Sequence, residues 1–108
     1  MIASISTYET WRGVYPAICT PFAADDSVDL QAQRRVVRFA LECGSHGIVA
    51  FGLAGEVPKL SADERRLLTD VIIDETAGAV PVFVGVGAPS TPSSIELARS
   101  AEAEGRAA

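Results

Sequence analysis

The sequence predicts an α/β fold built on a parallel sheet. Apolar runs at 13–22, 46–52 and 79–87 are continuous rather than alternating, as in strands covered on both faces. After each run comes a segment whose apolar residues recur at helical spacing. Three consecutive strand–helix units predict parallel strands joined by right-handed crossovers. An open doubly wound sheet and part of a (β/α)8 barrel both satisfy this pattern, and composition does not choose between them.

Residues 1–12 read as a leader of mixed polarity, and the folded units begin at Gly13. "GVYPAICTPF" (13–22) is an apolar strand stopped at Thr20-Pro21. "ADDSVD" is loop chemistry, and Asp29 is placed to cap a helix through "LQAQRRVVRFALECG" that Gly44 terminates. Val36, Val37, Ala40 and Leu41 form its buried side, with Arg34, Arg35, Arg38 and Glu42 as its solvated face. "HGIVAFG" (46–52) is the second strand, followed by the loop Gly52-Leu53-Ala54-Gly55-Glu56. "SADE" (61–64) is a capping box, in which Ser61 accepts from the Glu64 amide and Glu64 reaches back. The helix it starts turns Leu67, Leu68, Val71 and Ile72 inward and ends at Gly78. "AVPVFVGVG" (79–87) is the third strand, which Gly85 and Gly87 allow to turn. Thr91-Pro92 opens a third helix with Ile95, Ala98 and Ala101 on its inner side. Three parallel strands leave two unpaired edges, so the chain reads as a piece of something longer.

The 108 residues suit one small domain or part of a larger one, and 48% hydrophobic with 21% charged residues is a globular balance. A net charge of -5 without a basic stripe argues against nucleic acid as a partner. No apolar run approaches the ~20 residues of a membrane span, and the N-terminus has no signal-peptide pattern, so a cytoplasmic protein is expected. Cys19 and Cys43 lack metal-binding spacing and read as reduced core thiols, while the single His46 reads as structural. A lone G-x-G at Gly85 and Gly87 is no dinucleotide fingerprint. Glycines around the loop at 52–56 let backbone amides approach an anion, an arrangement suited to a carboxylate.

Taken in order, "GVYPAICTPFAADDSVD", "GIVAFGLAGEVPKLSADER" and "VPVFVGVGAPSTPSSIELARSAEAEG" resemble the N-terminal part of the dihydrodipicolinate synthase/N-acetylneuraminate lyase family. The resemblance covers residues 13–108 and implies the first three βα units of a (β/α)8 TIM barrel, left incomplete. It implies a class I lyase that forms a Schiff base with pyruvate or another 2-keto acid, for aldol cleavage, condensation or dehydration. It implies no cofactor and no metal, and homotetramers among full-length relatives.

By the same resemblance, Gly52, Leu53, Ala54, Gly55 and Glu56 form the loop that binds the substrate carboxylate. Glu56 reads either as orienting the loop by accepting backbone hydrogen bonds or as an exposed carboxylate, and Thr20, ending the first strand on the same face, either lines the pocket or is a strand-end hydroxyl. The family commonly carries Thr or Ser hydroxyls at the two middle loop positions, which are Leu53 and Ala54 here, so no hydroxyl relay is expected. The family's Schiff-base lysine and catalytic tyrosine belong to later strands, beyond Ala108. Lys59, the only lysine, is expected to be an exposed loop residue, since an amine activated for Schiff-base chemistry needs apolar cover. The chain is therefore expected to hold no catalytic residue and to be inactive alone. The other reading is a small non-catalytic α/β module that binds an anion or a partner through Gly52–Glu56.

Overall fold

The computed structural model describes residues 11–103, so most of the expected leader, and residues 104–108 of the third unit, lie outside the described residues. The elements run α1 (Leu30–Glu42), β1 (Ile48–Ala50), α2 (Ala62–Thr76), β2 (Val82–Val84) and α3 (Thr91–Ala103). β1 and β2 are the second and third strands expected from the sequence, and they pair in parallel with Val49 opposite Phe83.

The first expected strand, 13–22, is extended but forms only isolated bridges, a parallel one from Ala17 to Val49 and an antiparallel one from Phe22 to Val28. Val49 N–H donates to Pro16 O at 2.9 Å and Ile18 N–H to Val49 O at 3.0 Å. Toward the N-terminus the next rung would need an amide hydrogen on Pro16, which proline lacks, so the ladder stops. Sheet order is thus first segment, β1, β2, each running the same way.

α1 starts as the sequence predicts, with the Asp29 carboxylate accepting from Ala32 N–H at 2.9 Å. Its end is a Schellman motif: Gly44 (φ +80°) donates to Leu41 O at 3.0 Å and Ser45 to Ala40 O at 3.2 Å. The capping box of α2 is present in both directions, Glu64 N–H to Ser61 Oγ at 3.1 Å and Ser61 N–H to Glu64 Oε1 at 2.9 Å. Its C-terminus differs from the expectation. The first left-handed residue is Ala77 (φ +50°), and Gly78 (φ +75°) only follows it.

One core cluster joins Ile18, Ile48, Ala50 and Val82 of the sheet to Val37 and Ala40 of α1 and Leu68 and Ile72 of α2. Ile48, Leu68, Ile72 and Val37 are essentially inaccessible, each such side chain stabilising the fold by roughly 1.5–3 kcal/mol. Both α1 and α2 therefore cover the same sheet face. In the bridged row the partners Ala17, Val49 and Phe83 point to the opposite face, which no helix among the described residues covers. Trp11 and Tyr15 pack their rings edge-on to Phe83 there, at 4.9 and 5.6 Å between centroids. A doubly wound sheet places helices on both faces, whereas a barrel wall carries them on one. The one-sided cover identifies three βα units of a (β/α)8 barrel.

Three expected inner faces shift. On α1, Gln33 joins Val37 and Ala40 in the core, 1% exposed, and its amide donates to Cys19 O at 3.3 Å, while Val36 and Leu41 are only partly buried. On α2, Leu67 is exposed and Ile73 is buried instead, because the stripe through Leu68 and Ile72 points at the sheet and Leu67 falls beside it. On α3, Ile95 and Ala98 are exposed, and the covered line is Ser94, Leu97 and Ala101, with spacing i, i+3, i+7. Arg34 and Arg38 are also more than a solvated face: Arg34 bonds Asp74 at 2.7 Å and Glu75 at 3.3 Å, and Arg38 also bonds Glu75. Cys19 and Cys43 are free and exposed, not core thiols. Among the described residues no helix is long and apolar enough to cross a membrane.

Candidate ligand loop at the strand ends

β1 ends at a backbone corner. Phe51 is buried and takes φ +61°, a left-handed conformation that is costly for a side chain of this size. Gly52 returns to extended geometry (φ -78°, ψ -167°), and Leu53–Gly55 form one 3₁₀ turn. Glu56 (φ +54°) then reverses the chain into a second turn, Val57–Lys59. Positive φ therefore falls on Phe51 and Glu56, not on the two glycines. A Cβ at Gly52 would meet Ala17 at 3.8 Å and one at Gly55 would meet Thr20 Oγ1 at 3.7 Å, both ordinary contacts.

Inside the turn, Gly55 N–H donates to Gly52 O at 3.0 Å and Glu56 N–H to Leu53 O at 3.1 Å. The amides of Gly52, Leu53 and Ala54 donate to no acceptor among the described residues, as the opening amides of a helical turn do. Of the five loop residues, then, two amides are spent on the turn and three remain. The Leu53 side chain is 98% exposed, so it holds nothing in place.

Thr20 is buried, and its hydroxyl donates to Gly55 O at 2.7 Å, clamping the first segment to the loop. Among the described residues the Glu56 carboxylate accepts no backbone hydrogen bond; it takes Lys59 Nζ at 2.7 Å. That hydrogen bond holds the Lys59 ammonium above the ordinary lysine value, opposite to the shift an amine nucleophile needs. Lys59 is exposed, as its surroundings in the sequence suggest.

Arg65, in the second turn of α2, completes the corner although nothing in "SADER" singles it out. Its guanidinium lies 5.1 Å from the centre of the Phe51 ring, and its Nη2 donates to Gly85 O at 2.6 Å. Burial without a carboxylate partner pushes its pKa down, yet arginine keeps its charge. Gly85 must be glycine here, since a Cβ would sit 2.4 Å from Phe51 O. Beside the loop an open groove of ≈ 720 Å³ is lined by Leu53, Val57, Pro58, Leu60, Pro89 and Arg65. His46, at the N-terminal end of β1 and so at the other end of the strands from the loop, accepts Val14 N–H at Nδ1, 3.0 Å, which fits its structural reading. Among the described residues no three His, Cys, Asp or Glu side chains gather as a metal site.

Comparison with known proteins agrees with this architecture. The sequence pattern of the dihydrodipicolinate synthetase family matches residues 10–108. A 4-hydroxy-tetrahydrodipicolinate synthase of Salinibacter ruber is 41% identical over 91 residues, 84% of this chain and 30% of that protein. The dihydrodipicolinate synthase of Acinetobacter baumannii, solved in complex with pyruvate, superposes with TM-score 0.83 at 35% identity, over 87% of this chain and 32% of that one. The N-acetylneuraminate lyase of Mycoplasma synoviae gives TM-score 0.82 at 27% identity, over 89% and 34%. The chain thus spans about a third of the length of the relatives it matches. Pattern, relatives and the one-sided sheet concur on three βα units at the level of sequence and of backbone: the chain belongs to the dihydrodipicolinate synthetase family.

Proposed function

We propose that this chain is the carboxylate-holding N-terminal part of a lyase that acts on pyruvate or another 2-keto acid. The observation that carries the reading is the run of three unspent amides, Gly52 to Ala54, at the C-terminal ends of parallel strands. In (β/α)8 barrels that end carries the chemistry, and converging backbone amides bind anions. Bound pyruvate in the Acinetobacter baumannii relative supports a keto acid as the anion.

The residues of this chain bind and orient but do not react. Gly52, Leu53 and Ala54 offer amide hydrogens, Gly55 and Glu56 shape the turn, and Thr20 fixes it from beneath. Leu53 and Ala54 bring no hydroxyl, so no proton passes through this loop. Schiff-base formation needs an uncharged amine, and Lys59, held protonated by Glu56, does not supply one. Carbon–carbon or carbon–oxygen cleavage therefore requires residues outside these three units, and this chain alone gives no turnover. In the full-length protein, homo-oligomers and a cytoplasmic location follow by family likeness.

Borohydride reduction in the presence of pyruvate, read by mass spectrometry, tests the inactivity. No adduct is expected, and an adduct on Lys59 would overturn it. Hydrogen exchange with millimolar pyruvate tests the loop: Gly52, Leu53 and Ala54 should slow in the wild type. Unchanged exchange in the wild type would sink the carboxylate assignment.

A further inference from the structure

The ladder between β1 and β2 is cut at a definite rung. Ile48 N–H donates to Pro81 O at 2.9 Å, and Gly85 N–H to Ala50 O at 2.8 Å. In this register the next bond would run from Gly52 N–H to Gly85 O. Gly85 O instead takes the guanidinium of Arg65 at 2.6 Å, and the Gly52 amide has no acceptor among the described residues. The same guanidinium faces the Phe51 ring, at the residue whose left-handed backbone swings the chain out of the sheet.

We propose that Arg65 is a positioning residue that caps the ladder at Gly85 and so keeps the Gly52–Ala54 amides free for an anion. The inference rests on the carboxylate-binding reading of the loop. Two features of arginine suit the task. Its planar fork donates to a carbonyl while its face lies against a ring, and its charge makes the bond to Gly85 O stronger than an amide's. Gly85, lacking a Cβ, lets Phe51 O pass close enough for both contacts. Its proposed action is through the backbone, at Gly85 O and Phe51.

Three proteins decide the matter: wild type, Arg65→Met, which keeps an apolar stem, and Arg65→Lys, which can still donate to Gly85 O. Hydrogen exchange is read at single-amide resolution at low micromolar concentration, without and with pyruvate. Without pyruvate, Gly52 should exchange fast in the wild type and become at least tenfold slower in Arg65→Met as it closes onto Gly85 O, while Arg65→Lys stays near the wild type. A merely structural role would speed exchange across the core of α2 and would not slow Gly52. With pyruvate, Arg65→Met should bind about tenfold more weakly, the size expected when one strong hydrogen bond is misplaced. Equal Gly52 exchange in Arg65→Met and wild type would overturn the proposal. If wild-type amides ignore pyruvate while Gly52 still slows in Arg65→Met, the ladder cap stands and the carboxylate reading fails; should Arg65→Met not fold, Gly52 exchange in Arg65→Lys decides, and slowing there counts against the cap because its donor is retained.

Discussion

At single residues, the left-handed positions matter more than the glycine count. Ala77 ends α2 at φ +50°, where a methyl group crowds the following carbonyl. Ala77→Gly should raise stability by about 0.5–1 kcal/mol, the relief of that crowding less the extra freedom of an unfolded glycine. A urea midpoint that stays put or falls would count against this account. Gly85→Ala should act the other way, because its Cβ would meet Phe51 O at 2.4 Å and something must shift. A loss of about 1–3 kcal/mol in the same titration is the expected cost of such overpacking. The caps at Asp29 and Ser61 were legible as letters, since an N-cap is written within four residues. Phe51, Arg65 and Gly85 were not, because their meaning is a contact between residues up to 34 positions apart (85 minus 51).

Among elements, α1 and α2 are tied twice, by the core beneath them and by charges above. Arg38 and then Arg34 donate to Glu75 and hold its carboxyl below the usual value. A carboxyl whose folded value is lowered contributes stability above its unfolded value, about pH 4.3, and loses it as pH falls through the folded one. The melting temperature of the wild type should therefore exceed that of Glu75→Gln at pH 7, and the gap should narrow as pH falls below the unfolded value. A gap that widens on acidification would reverse the assignment. Helix periodicity foretold that α1, α2 and α3 exist, yet it misplaced Leu67, Ile95 and Ala98. Apolar spacing gives a stripe about 100° wide, and which edge of the stripe is covered depends on where the neighbouring element lies. Gln33 makes the same point from the polar side: its burial is intelligible only once Cys19 O stands opposite. Strand lengths were overestimated for a similar reason, since Pro16 and the Phe51 corner cut pairing inside apolar runs that look uninterrupted.

For the whole molecule, cover on one side only has a measurable result. Ala17, Val49 and Phe83 face away from the helices, and the first segment and β2 each leave an edge unpaired among the described residues. Phe39 on α1 is 68% exposed as well. Isolated, the chain should bind a hydrophobic dye such as anilinonaphthalene sulfonate and associate as its concentration rises. A dye-silent monomer with a sharp melt at hundreds of micromolar would mean that these surfaces are satisfied some other way. From the sequence alone, parallel topology was legible and its closure was not, because apolar runs record that a strand is covered without recording by what. The barrel emerged from α1 and α2 sharing one face.

The 3₁₀ turn from Leu53 to Gly55 is anchored at both ends and from below, by the Phe51 corner, the Glu56 reversal and the Thr20 hydroxyl on Gly55 O. Nothing anchors it through its own middle side chains, and Leu53 touches almost nothing. Its side chains can therefore change independently of its shape. Hydroxyls could be exchanged in or out at these two sites without a refolding penalty, on an unchanged scaffold. Leu53→Thr combined with Ala54→Thr should accordingly melt within a degree or two of the wild type, as expected for surface changes.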